Sequence, residues 1–116
     1  MNLYTCNIDL KQDAKALVFS AALDAWMSHL QQQGAIGHWR LFRRKLNLAA
    51  GVYRDFLLEV EVEDLSQLDR AFRLTGKPDD QTAQLHARVH DLIAEADFGL
   101  YRPFPDPERA ERMALI

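Results

Sequence analysis

The chain opens on alternation. In "LYTCNIDL" (residues 3–10), Tyr4, Cys6, Ile8 and Leu10 alternate with Leu3, Thr5, Asn7 and Asp9, the period-two pattern of a strand with one buried face. The period then changes. From Asp13, placed as an N-cap, to Gln33, the apolar residues Phe19, Leu23, Trp26, Met27 and Leu30 recur at helical spacing, and Gly34 supplies the stop. Between Gly34 and Asp64 alternation returns and predicts two strands joined by "NLAAGV". Asp64 is then placed to cap a short helix, with Gln67 positioned for a capping box and Leu65, Leu68 and Phe72 along one side. Gly76 and Pro78 break this helix. "PDDQ" restarts another, whose expected buried face is Leu85, Val89, Leu92, Ile93 and Ala96, and "DFGLYR" predicts a last strand ended by Pro103. The order is β-α-β-β-α-β: an α+β chain with its second helical region split.

Register follows from the two middle strands. Like faces meet only when opposed positions sum to an odd number, and a sum of 99 sets Trp39 against Val60 and Leu41 against Leu58 on one side. The other side then pairs Phe42 with Leu57, Arg40 with Glu59, Arg44 with Asp55 and His38 with Glu61. Each such cross-strand pair is worth about 0.2–1 kcal/mol. The apolar side, completed by Tyr4, Cys6, Ile8, Phe56, Val62, Phe98 and Leu100, is expected under the helices. Opposite it lie Thr5, Asn7, His38, Arg40, Phe42, Asp55, Leu57, Glu59 and Tyr101, with Leu3 beside them. Helices on one side only leave that mixed face bare. A two-fold homodimer with the sheets face to face covers it and encloses a partly polar cavity.

Composition narrows the partners. At 116 residues the chain suffices for one two-layer core, read as a domain over 1–104 followed by a proline-stiffened C-terminal arm over 105–116 that packs on the domain or on a partner. The arm has a short helix expected from Asp106 and Pro107 and ends in the apolar Met113, Ala114, Leu115 and Ile116. Hydrophobic residues are 48% and charged residues 27%, an ordinary globular balance, and the net charge of −3 provides no basic face for nucleic acid. No run is apolar for long enough to span a bilayer, and the amino terminus lacks the features of a secretory leader. A single cysteine, Cys6, fits a reducing compartment. A cytoplasmic location is the expectation.

Element order and face pattern over roughly residues 2–104 resemble the dimeric α+β barrel superfamily, built on the ferredoxin-like fold with a four-stranded antiparallel sheet. Size and layout are similar to small stress-responsive A/B barrel proteins and related bacterial proteins of unknown function. The resemblance implies a homodimer whose interior holds a small, partly apolar organic molecule, with cofactor-free acid–base or monooxygenase-type chemistry. The alternative is a non-catalytic, stress-associated dimer or interaction module.

By location, the residues facing the cavity are Asn7, His38, Arg40, Phe42, Glu59 and Tyr101. His38 is the candidate base, because histidine titrates near neutrality and Glu61 is placed to hold its tautomer. Arg40 is the candidate oxyanion partner through its bidentate fork. The same residues also read as plain cross-strand pairs, so whether the chain is an enzyme stays open. His86 and His90 have the i, i+4 spacing of a zinc pair, but the motif's glutamate and a nearby third ligand are missing, so both read as surface or helix-packing residues. Cys6 reads as a packing residue. No metal or cofactor is proposed.

Overall fold

A computed structural model describes residues 1–46, 48, 50–77 and 79–106. Its elements are β1 (Asn2–Leu10), α1 (Ala16–Gln32), β2 (Trp39–Arg43), β3 (Phe56–Val62), α2 (Leu65–Gly76), α3 (Asp80–His90) and β4 (Ile93–Tyr101). The strands form one antiparallel sheet in the order β2-β3-β1-β4, the ferredoxin-like arrangement. The expected register of the middle strands is observed from Trp39↔Val60 to Arg43↔Phe56. Residues 107–116, with the helix expected from Asp106 and Pro107 and the apolar end Met113–Ile116, lie outside the described residues.

Alternation decides which side of the sheet is dry. Cys6 and Ile8 of β1 and Phe56, Leu58, Val60 and Val62 of β3 are buried against Phe19, Leu23, Trp26, Met27 and Leu30 of α1. Each large side chain buried there contributes about 1.5–3 kcal/mol by leaving water. Helix α1 ends as Gly34 implies. Gly34 adopts φ +69°, its amide donates to the Gln31 carbonyl at 2.9 Å, and the Ala35 amide donates to the Leu30 carbonyl at 2.9 Å. This is the double hydrogen bond of a glycine-terminated helix.

Several boundaries differ from expectation. Helix α1 starts at Ala16 after an uncapped Lys15, because the Ala14 amide bonds back to the Lys11 carbonyl at 3.0 Å and carries Asp13 into a turn. Asp64 does cap α2, accepting from the Gln67 amide at 2.8 Å. In the reciprocal bond, however, it is the Glu63 amide that donates to Gln67 Oε1, at 2.6 Å. On α2 the buried positions are Leu68 and Ala71, while Leu65 and Phe72 stay exposed. Helix α3 stops at His90, and Ile93 and Ala96 belong to β4, which runs beside the long β1 from Ile93 to Tyr101. Phe98 and Leu100 sit on the helix side, opposite Cys6 and Tyr4, yet they are 66% and 47% exposed. The helices do not extend over that part of β4.

One buried polar link joins the helix layer. His29 of α1, 6% exposed, has its Nε2 2.8 Å from the Thr82 hydroxyl of α3, which is fully buried. The Thr82 amide is itself fixed by the N-cap carboxylate of Asp79 at 2.7 Å, and that bond holds the Asp79 carboxyl below the usual carboxylate range.

Candidate functional site

On the face away from the helices the register lays the side chains out as a grid. Its first row reads His38, Glu61, Leu3, Tyr101; the second Arg40, Glu59, Thr5, Gly99; the third Phe42, Leu57, Asn7, Asp97; and the fourth Asp55, Asp9, Glu95. Neighbouring strands lie about 4.8 Å apart and successive rows about 6.6–6.8 Å apart. A side chain therefore reaches its immediate neighbours but not the far edge.

All six of the residues expected to face a cavity, Asn7, His38, Arg40, Phe42, Glu59 and Tyr101, are on this face. Only part of the set converges. His38, Arg40 and Glu59, joined by Leu3, Trp39 and Glu61, line a depression of about 340 Å³ at the β2 edge. Tyr101 is three strands away from His38, and Asn7 lies one row and two strands from Arg40, so neither lines it. Phe42 sits just beyond, with the Arg40 guanidinium carbon 5.5 Å from its ring centre.

Within the depression Arg40 Nη2 donates to Glu59 Oε1 at 2.6 Å, as the register requires. The pair is exposed on the arginine side, so its net worth to stability is about 0–1 kcal/mol. The expected His38–Glu61 contact is absent as a side-chain hydrogen bond, although the backbones pair through the Glu61 amide and the His38 carbonyl at 2.8 Å. Arg44 likewise meets Asp55 only through the backbone. The Asp55 carboxylate takes Arg43 at 3.3 Å, while the Arg44 side chain turns to the Tyr53 carbonyl.

The opposite end of the face holds a cluster that the sequence reading missed. Arg54, in the loop before β3, donates to Asp9 Oδ2 at 3.0 Å, Glu95 Oε2 at 2.6 Å and Asp97 Oδ2 at 2.9 Å. These partners, Asp97 foremost, raise the already high guanidinium pKa. The Asp55 amide donates to Asp9 Oδ1 at 2.9 Å and, with Arg54 beside it, holds the Asp9 carboxyl below the usual carboxylate range. The available signal was the alternation of Glu95 with Asp97, hidden by starting the last strand at Asp97.

Elsewhere chemistry is muted. Burial pushes the Cys6 thiol up to about 12 and the neighbouring Tyr4 hydroxyl up to about 12, so both stay protonated at neutral pH. His86 packs on Trp26 with ring centres 5.2 Å apart, and burial, with His90 beside it, pushes its pKa down. Among the described residues no group of three or more metal-ligating side chains is present. A broader hollow of about 470 Å³ on α2 is formed by the helix's own Leu65, Ser66, Asp69, Arg70 and Arg73, with no second element converging on it.

A sequence profile described as a family of unknown function, DUF6614, matches residues 1–116. The chain belongs to the DUF6614 family. No curated protein matches this DUF6614 chain. Solved structures are similar to it in fold. SnoaB, described as a cofactor-independent oxygenase from Streptomyces nogalater, superposes with TM-score 0.65 at 10% identity, over 90% of this chain and 97% of that one. A dabb family protein with a ferredoxin-like fold from Mesorhizobium loti gives 0.61 at 16% identity, over 89% and 96%. A dimeric ferredoxin-like protein of unknown function from Thermobifida fusca gives 0.54 at 13%, over 86% and 88%. These likenesses place the DUF6614 chain in the ferredoxin-like, α+β barrel class by fold. Among the described residues no helix is long and apolar enough to cross a membrane.

Proposed function

We propose that this protein is a homodimer that binds a small, partly apolar organic molecule between its two open sheet faces. The observation that carries the reading is the depression lined by Leu3, His38, Trp39, Arg40, Glu59 and Glu61 on a sheet face that no helix covers. Pairing with a second copy encloses it, and relatives of the same fold described as dimeric support that pairing. His38 has no side-chain partner among the described residues and serves as the base that takes a proton from a bound acid or phenol. Arg40, steadied by Glu59, faces the oxygen on which negative charge develops. Leu3, Phe42 and Leu57 supply apolar walls, with Asn7 and Tyr101 further across the face. SnoaB, an oxygenase without a cofactor on the same fold, supports chemistry of this cofactor-free kind.

A second reading draws on one observation. Arg40 and Glu59 already satisfy each other at 2.6 Å, which favours a non-catalytic, stress-associated dimer or interaction module in which the pair only fixes register. A thermal-shift screen of acidic and phenolic metabolites separates the two. Compounds that stabilise wild type but neither Arg40→Met nor His38→Gln support the site. Absence of any such compound, with both variants as stable as wild type, supports the module.

A further inference from the structure

The helix side of the sheet leaves an apolar patch that sheet-to-sheet pairing would not reach. Tyr4 of β1 stands with its ring centre 5.8 Å from Phe72 of α2, edge to face, and 6.0 Å from Phe98 of β4, stacked. Leu100 adjoins Tyr4 in the ladder. Phe72, Phe98 and Leu100 are 53%, 66% and 47% exposed, three large apolar side chains side by side at the edge of the helix layer. A contiguous exposed cluster of this kind usually has an occupant.

We infer that the C-terminal segment Met113–Ile116 of the same chain docks on this patch. The last described residue, Asp106, is held next to the end of β4 by its ion pair with Arg102 at 3.4 Å, so the remaining chain starts beside the patch. Residues 107–116 span up to about 33 Å extended and about 15 Å as a helix. Phe98 is three strand steps, about 10 Å, back from Tyr101. Either conformation reaches. The sequence distributes its polarity accordingly, because "PERAER" is hydrophilic and only the final "MALI" needs cover. The short tether also favours a chain's own tail over its partner's, through a high effective concentration. The docking requires neither a ligand nor the sheet-to-sheet contact.

The test places one cysteine on each side of the contact, in Phe98→Cys/Leu115→Cys, on a Cys6→Ala background because Cys6 lies directly opposite Phe98 in the ladder. Mild oxidation should join the two within one chain, seen as a monomer of altered mobility and a single linked peptide by mass spectrometry, while either single variant gives none. In the otherwise native chain, deleting Met113–Ile116 should speed amide exchange of Phe98, Gly99 and Leu100 by on the order of tenfold, with β3 unchanged. A bond formed between chains, no bond at all, or unchanged exchange in the truncated chain overturns the inference.

Discussion

Replacing Thr82 by valine removes one hydroxyl and keeps the shape, which isolates the buried link between α1 and α3. The His29 imidazole, 6% exposed and 2.8 Å from that hydroxyl, loses its partner, while the Thr82 amide keeps its bond to Asp79. Stranding a buried polar group costs about 1–3 kcal/mol. With an unfolding entropy of about 2.1 cal/mol/K per residue, a domain of this size loses about 4 °C of melting temperature per kcal/mol, so the expected fall is about 4–12 °C. Calorimetry or circular dichroism at fixed protein concentration reads it, since self-association makes the midpoint concentration-dependent. The cycle is closed with His29→Phe, which preserves the stack on Trp26. If the link is as described, the double variant recovers part of the loss, because neither partner is left unpaired. Equal stability of wild type and Thr82→Val, or strictly additive losses in the double variant, would refute the reasoning.

Three further outcomes are expected. Sedimentation at micromolar concentration should give about twice the 13.3 kDa chain mass, and a clean monomer there removes the enclosed cavity. Asp9 has a depressed carboxyl pKa, so its contribution is present above the unfolded value of about 3.9 and is lost as pH falls through the lower folded value. Urea titrations should therefore show Asp9→Asn destabilised at neutral pH, with the gap closing in strong acid; a gap independent of pH contradicts the assignment. Cys6, with its thiol pushed up to about 12 by burial, should resist alkylation at pH 8 until the protein unfolds, and rapid labelling of native protein would contradict its burial.

The sequence was most legible where a residue's role is set by its nearest neighbours. Alternation in β1, β2 and β3 gave their faces, and the parity of the Arg40–Glu59 and Leu41–Leu58 pairs gave the register. Gly34 announced its left-handed turn because few other residues adopt one. Legibility failed where a non-local partner decides. Ile93 and Ala96 fit a helical stripe as well as a strand, and only the length of β1 beside them extends β4 back to Ile93. Phe72, Phe98 and Leu100 have core-like chemistry, yet coverage depends on where α2 comes to rest. For the candidate site, placement on one face was readable. Convergence was not, because pattern alone carries no strand order, and strand order sets Asn7 and Tyr101 apart from His38.

Arg54 also gives the edge strand a direction in time. Its grip on Glu95 and Asp97 ties the beginning of β4 to β1 and to the start of β3, whereas beyond Asp97 the guanidinium does not reach and no ion pair joins the strand to β1 among the described residues. Local opening should therefore begin at Tyr101 and travel toward Ile93, slowing where it meets the guanidinium. Loss of Arg54 would turn that graded fraying into release of the whole strand at once, exposing the hydrogen-bonding edge of β1 in a single event.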